Sequence, residues 1–280
     1  VNYKCFDVEV TDMVAQVRMI RPEKANSMIP EFWKELPEII NDLSDQGDAR
    51  VIVISAEGRH FCSGMDLSFF GGDNTINIGS SKFPSRTRAS FRSTALRLQR
   101  SFSSMEESRL PVLAAIQGAC VGGGIDMVSA ADLRYATSDA YFCIAEINIG
   151  MTADVGTLQR MPKLVPEGVV RELAYTGRKM HAAEGKERGF INEVFDTHEE
   201  LLTAVNEIAK EIASKSPMAI WGTKQSMNFS RDHSVADGLE YIATWNAAMF
   251  DTDDMDEAFV ATSDRRDAEF PNHLRNRSDL

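Results

Sequence analysis

Three glycines followed two residues later by an acid, Gly122-Gly123-Gly124-Ile125-Asp126, stand between the apolar run Val112-Leu113-Ala114-Ala115-Ile116 and the helix-like Met127-Val128-Ser129-Ala130-Ala131. Glycines at a strand-to-helix turn let a ligand approach bare backbone N–H groups, and the helix N-terminus adds positive potential there. The expected product is an anion hole. An acid directly behind it would repel a phosphate dianion, so a developing oxyanion with a proton-handling carboxylate beside it fits better. Two further acids follow. Glu146 ends the strand-like Tyr141-Phe142-Cys143-Ile144-Ala145, and Asp154 lies in the loop Gly150-Met151-Thr152-Ala153 before Val155-Gly156-Thr157-Leu158-Gln159-Arg160. An acid leaving a strand and another opening the next helix can face one crevice. Taken singly, each also has an ordinary reading: Asp126 complementing a helix dipole, Glu146 in a surface ion pair, Asp154 as a helix N-cap whose bonds would lower its pKa.

A second half of the hole is expected upstream, in Gly58-Arg59-His60-Phe61-Cys62-Ser63-Gly64-Met65-Asp66-Leu67, directly after the apolar strand Val51-Ile52-Val53-Ile54. On these two glycine turns the sequence resembles the crotonase superfamily, the enoyl-CoA hydratase/isomerase family, from about Val8 to about Phe270. The resemblance implies an α/β fold, a crotonase-like ββα spiral core with a C-terminal all-helical oligomerisation region. It also implies that the backbone N–H groups of Met65 and Gly123 hold the thioester oxygen of an acyl-CoA. Cys62, Ser63, Gly64, Asp66, Leu67 and Gly122 are then expected around the substrate. Lys24, in Arg21-Pro22-Glu23-Lys24-Ala25-Asn26-Ser27, matches a stretch that lines the CoA pocket in the family, where an ammonium can meet a phosphate; a solvated turn lysine is the other reading.

In the family pattern Glu146 occupies the position of the shared catalytic Glu, Asp126 that of a second Glu in ordinary hydratases, and Asp154 replaces what is usually glycine. The Asp126, Glu146, Asp154 set resembles the dienoyl-CoA isomerase branch, which converts 3,5-dienoyl-CoA to 2,4-dienoyl-CoA in fatty-acid β-oxidation. Such a shift takes a proton from carbon 2 and delivers one to carbon 6, so two separated acids are wanted. On this resemblance Glu146 is the expected base at carbon 2, protonated Asp154 the donor at carbon 6, and Asp126 the residue that orients or tunes the pair. The alternatives are a hydratase in which Glu146 and Asp126 activate water, with Asp154 against it, and a crotonase-fold binding protein without turnover.

Other chemistries find little support. No G-x-S-x-G elbow surrounds Ser63, and His60 has no nucleophile partner in a known motif. Neither G-x-G-x-x-G nor a Walker sequence occurs, so no nicotinamide or nucleotide cofactor is indicated. A double-bond shift transfers no net electrons; the expectation is no metal and no cofactor, with coenzyme A entering as part of the substrate.

The chain of 280 residues is 43% hydrophobic with a net charge of −12, enough for a large buried core and adverse to binding nucleic acid or anionic membrane. Cys5, Cys62, Cys120 and Cys143 form no C-x-x-C pair, which fits a reducing compartment. No apolar run approaches membrane-span length, no signal peptide is visible, and Ser278-Asp279-Leu280 departs from the peroxisomal address, so a cytoplasmic location is expected, with a leader before Val1 left open.

The elements that must carry these residues follow from hydrophobic periodicity. A hairpin is predicted around Thr11-Asp12, a helix from Pro30 to Ser44, a strand from Val51 to Ser55, and a strand–turn–helix rhythm around Val112 to Tyr135 and Tyr141 to Leu164. Phe69 to Phe83 reads either as a loop able to cover an acyl chain or as a solvated surface loop, and Arg86 to Glu107 as a long amphipathic helix with Phe91, Leu96, Leu98 and Phe102 available for burial. After a boundary near Asp196 the pattern is helical: Glu199 to Ser214, Pro217 to Asn228, Ser234 to Met249 and Asp256 to Ser263. Residues 1–196 are thus the expected catalytic core and residues 197–280 the oligomerisation region. Leftover apolar residues such as Trp245, Met249 and Phe250 predict subunit contacts, and the family resemblance implies a homotrimer or homohexamer. The acidic run Asp251 to Glu257 reads as a helix N-terminus.

Overall fold

Alternating apolar residues open the chain as a hairpin, seen here in a computed structural model that describes residues 2–66 and 83–276. Strands β1 (Phe6–Thr11) and β2 (Val14–Met19) pair antiparallel with Thr11 opposite Val14, so Asp12 and Met13 alone make the turn. Both sit at positive φ, 50° and 63°, the backbone twist that a two-residue hairpin requires.

The rest of the large sheet is parallel. Its order is β1-β2-β3-β4-β6-β9, with β3 at Val51–Ala56, β4 at Val112–Ile116, β6 at Leu133–Thr137 and β9 at Glu193–Phe195. Strands β3 and β4 read as unbroken apolar runs because both their faces are covered. Ile52, Ile54, Val112, Ala114 and Ile116 enter the main core, which the helix Phe32–Gln46 (α1) helps to fill with Phe32, Leu36, Ile39 and Ile40. The alternate residues Val51, Val53, Leu113 and Ala115 lie on the opposite face against Leu201, Val205 and Ala209. These last three recur every fourth residue along one stripe of α7 (His198–Ala213), whose start is fixed by a reciprocal cap between Thr197 and Glu200.

A second sheet of three short strands, β5 (Ala119–Val121), β7 (Tyr141–Cys143) and β8 (Met180–His181), has the order β5-β7-β8. Between its members run α3 (Gly123–Ser129), α4 (Thr157–Arg160) and α5 (Glu167–Thr176), and α6 (Ala182–Glu187) follows β8. The long helix α2 (Pro84–Glu107) buries Phe102 and Met105 near its end, while Leu98 is only partly covered and Leu96 is exposed. Phe69 to Lys82, most of the expected covering loop, and Leu67 lie outside the described residues, as do Ser278 to Leu280.

Three helices close the chain: α8 (Pro217–Arg231), α9 (Val235–Met249) and α10 (Thr252–Asp264). Asp251 caps α10 through the N–H groups of Asp253 and Asp254, which accounts for the acidic run. Buried basic side chains tie this region to the sheet. Lys224 donates to the carbonyls of Met105 and Leu110 and pairs with Asp132 at 2.9 Å. Arg50, at the entry to β3, donates to the Ala213 carbonyl (2.8 Å), to Asn272 Oδ1 (2.7 Å) and to the Phe270 carbonyl.

Candidate active site

Three chain segments end side by side, and the site lies where they stop. Cys62 bridges to Cys120 in parallel fashion through Cys62 N–H to the Ala119 carbonyl and Val121 N–H to the Cys62 carbonyl, both at 3.0 Å. The parallel β5–β7 pairing sets Val121 beside Cys143, and Gly122 N–H then donates to the Cys143 carbonyl at 2.9 Å. Gly64-Met65, Gly122-Gly123 and Ala145-Glu146 therefore leave their strands at one edge, as ligand sites at the C-terminal ends of parallel strands commonly do. On the far side the turn at Met65 is pinned by Met28, whose N–H donates to Gly64 O and whose carbonyl accepts from Asp66 N.

The glycines are required by contact as well as by dihedral angle. Gly64 and Gly122 have φ of +89° and +53°, and a Cβ on Gly122 would stand 3.2 Å from Glu146 Oε1. A Cβ on Gly123 would lie 2.7 Å from Met28 Sδ and 3.8 Å from the Met65 nitrogen. Among the described residues neither the Met65 N–H nor the Gly123 N–H donates to another protein group, so two neighbouring donors remain for a ligand.

A pocket of about 160 Å³ opens here, lined by both of these residues, by Ser63, Gly64 and Gly122, and by the three acids. Asp126, on the first turn of α3, is buried and accepts a 2.7 Å hydrogen bond on Oδ1 from Thr157 N–H at the start of α4. Burial pushes its pKa up to about 6 against that hydrogen bond. Glu146, in the short 3₁₀ turn Glu146–Ile149, is pushed up to about 7, first by burial and then by the charge of Asp126. Its Oε2 is buried with no hydrogen-bond partner among the described residues. Asp154 lies three residues before α4, whose N-cap is Gly156, so Asp154 is not the cap of that helix. With burial as the leading cause, the Asp154 pKa is raised. The arrangement offers two free backbone donors and, beside them, three carboxyls that burial raises above the usual carboxylate range.

Other expected contacts lie apart from this pocket. Cys62 is fully buried, with Sγ against the Asn26 carbonyl at 3.2 Å, and its thiol is pushed up to about 12 by burial. Asp66 accepts from Ser27 Oγ at 2.7 Å, and Lys24 is exposed at the end of the turn Pro22–Lys24, which joins the same scaffold through Ser63 N–H to the Ala25 carbonyl. His60 accepts from Ala119 N–H through Nδ1 at 3.2 Å, a structural role. Sequence reasoning missed Trp33, Ile149, Met151 and Val155, which complete the pocket, and Thr157, which fixes Asp126. Of these only Thr157 carried a local signal, as the residue after Gly156 at a helix start. Among the described residues no group of three or more His, Cys, Asp or Glu is placed to hold a metal ion, and no helix is long and apolar enough to cross a membrane.

Residues 9–273 match the sequence model of the enoyl-CoA hydratase/isomerase family. The mitochondrial Delta(3,5)-Delta(2,4)-dienoyl-CoA isomerase of Rattus norvegicus is 40% identical over 269 residues, covering 95% of this chain and 82% of its own length. The peroxisomal isomerase of the same name from Arabidopsis thaliana is 40% identical, covering 89% of this chain and 90% of its own. Among solved structures, an enoyl-CoA hydratase from Bacillus anthracis superposes with a TM-score of 0.85 at 26% identity, over 95% of this chain and 99% of that one. The crotonase-like fold, with its C-terminal helical region, is thereby shown. The cytoplasmic expectation is corrected: these relatives are mitochondrial or peroxisomal proteins. Charge and free cysteines report on solubility and redox state, whereas a compartment is set by short receptor-read addresses that leave no trace in a folded core.

Proposed function

The chain belongs to the enoyl-CoA hydratase/isomerase family, and from that premise we propose that it converts 3,5-dienoyl-CoA to 2,4-dienoyl-CoA in fatty-acid β-oxidation. The observation that carries the reading is the gathering of Asp126, Glu146 and Asp154 around one pocket beside two unused backbone donors. It is supported by the 40% identity to isomerases of that name.

The thioester oxygen accepts from the Met65 and Gly123 N–H groups. Ionised Glu146 takes a proton from carbon 2; the C2–H electrons form a C2=C3 bond, the C3=C4 pair moves to C4=C5, and the C5=C6 pair takes up the proton of Asp154 at carbon 6. Negative charge that builds on the thioester oxygen is met by donors already in place, a contact typically worth about 3 kcal/mol per donor removed. Asp126, held by Thr157, keeps its charge close to Glu146 and raises the basicity of that carboxylate. Lys24 and the residues around Ser63 and Asp66 take the CoA moiety, and the acyl-CoA brings the only coenzyme the reaction uses. The helices after α7 supply the contacts of a homotrimer or a pair of trimers.

Purified protein given 3,5-dienoyl-CoA is expected to form a chromophore absorbing at longer wavelength, because the product's diene is conjugated with the thioester. Water addition to 2-enoyl-CoA, with loss of conjugation and no turnover of the 3,5-diene, would move the hydratase reading ahead.

A further inference from the structure

The loop that carries Asp154 is held by side chains from outside it. Gln99 Nε2 donates to the backbone carbonyl of Asp154 at 2.7 Å. Arg160 Nη1 reaches the carbonyl of the next residue, Val155, at 3.4 Å. Its guanidinium in turn lies against Glu106, with Nε at 2.7 Å and Nη2 at 2.6 Å from Oε2, and donates to Ser103 Oγ at 3.1 Å. Gln99, Ser103 and Glu106 follow one another at i, i+4 and i+7 on α2, so they form one stripe facing this loop.

The ion pair is mostly withdrawn from water, with side-chain exposures of 12% and 15%, so it is screened far less than a surface pair. The loop is shaped around it. Gly156 has φ +141°, and a Cβ there would stand 1.8 Å from Arg160 Nη1. Glu106 also pairs through Oε1 with Arg231 at 2.7 Å, and its carbonyl accepts from Asn228 Nδ2 at 3.1 Å, which carries the tether to α8. Gln99, Ser103, Glu106, Arg160 and Arg231 do not line the pocket of the three acids.

We propose that Gln99 and Arg160, the latter braced by Glu106, are positioning residues that fix the height of Asp154 above the distal carbon of the substrate. Glu146 is held by a different construction, the strand ends at β5 and β7, so the two halves of the proton transfer rest on separate supports that meet only at Asp126, held by the Thr157 backbone. The proposal rests on the reading of Asp154 as the distal donor.

The test separates those halves in D₂O: deuterium incorporated at carbon 2 of recovered substrate reports on Glu146, and 2,4-dienoyl product reports on completion at carbon 6. Gln99→Met keeps the side-chain length but removes the donor. It is expected to lower kcat for isomerisation about tenfold or more, since misplacement by an ångström can cost about a hundredfold, while KM and carbon-2 exchange stay at parent values. Arg160→Lys keeps the charge beside Glu106 but cannot spread donors over Glu106, Ser103 and Val155, and should show the same split. Parent kcat in both variants, with Asp154→Asn slow, would overturn the proposal. Equal loss of exchange and isomerisation in both would overturn it too, as damage to the whole site. Parent-rate isomerisation by Asp154→Asn would instead remove the reading on which it stands.

Discussion

Asp154 is the residue on which the isomerase and hydratase chemistries part, because only the isomerase needs an acid at the far end of the diene. Asp154→Asn keeps the size and cannot donate a carboxylic proton; it should lose roughly two orders of magnitude or more in isomerisation, read as kcat with 3,5-dienoyl-CoA. Glu146→Gln should abolish deuterium exchange at carbon 2 as well. The raised acids also set a pH profile. Glu146 acts ionised, so kcat/KM should climb as pH rises through about 7. Stability runs the other way. A Glu146 pKa lifted from 4.5 to about 7 on folding means that ionisation opposes the folded state, with the penalty absent below about pH 4.5 and complete above about pH 7. Glu146→Gln should therefore be more stable than the parent at pH 8, by on the order of 3 kcal/mol, and nearly equal to it at pH 4, read from thermal midpoints at the two pH values. These acids were legible because each stands beside glycine or at a strand end; Trp33 was not, since a tryptophan on an amphipathic helix looks the same whether it lines a pocket or fills the core.

At the scale of elements, the decisive parts are two turns rather than any helix or strand. Met65 contributes its backbone, so Met65→Ala should retain substantial activity. Gly123→Val puts a branched side chain where even a Cβ meets Met28 Sδ at 2.7 Å, and it should lose most activity, measured as kcat/KM beside the thermal midpoint. The long elements could be read from periodicity: the predicted hairpin and the helix from Pro30 appear as β1–β2 and α1, within two residues at their ends. The acidic run at Asp251 is a cap because Asp251 sits directly before α10. Most of the second sheet could not be read in this way. Only β7 could, since Tyr141–Cys143 lies inside the strand-like run Tyr141 to Ala145; β5 and β8, of three and two residues, are too short to show alternation and exist because neighbouring segments offer them partners. The same sheet brings Glu146 to Gly122, so the meeting of the motifs was visible only through the family resemblance. The covering of α2 also differs from the amphipathic reading, with Leu96 left exposed in the single chain.

At the scale of the whole molecule, the C-terminal helices present Val235, Leu239, Phe250 and Phe259 with more than half of each surface exposed. Trp245, expected among the leftovers, is instead partly covered and packs edge-on against Trp221 at 4.9 Å between ring centroids. Light scattering of the purified protein should give a trimer or hexamer at working concentrations, and a stable monomer would contradict the proposed assembly. Deletion from Asp232 onward should produce aggregates, because it uncovers apolar faces of α8 and removes two of the three acceptors of Arg50. That arginine also bears on when the sheet's entry can close. Two of its three acceptors, at residues 270 and 272, are made only when synthesis is almost finished, so a cation in the first fifth of the chain cannot be buried with all its partners before then. A nascent chain arrested before Asn272 is expected to remain protease-sensitive around β3, and release of the complete chain to bring a late gain in protection, as closure of a loop of some two hundred residues completes the sheet's entry.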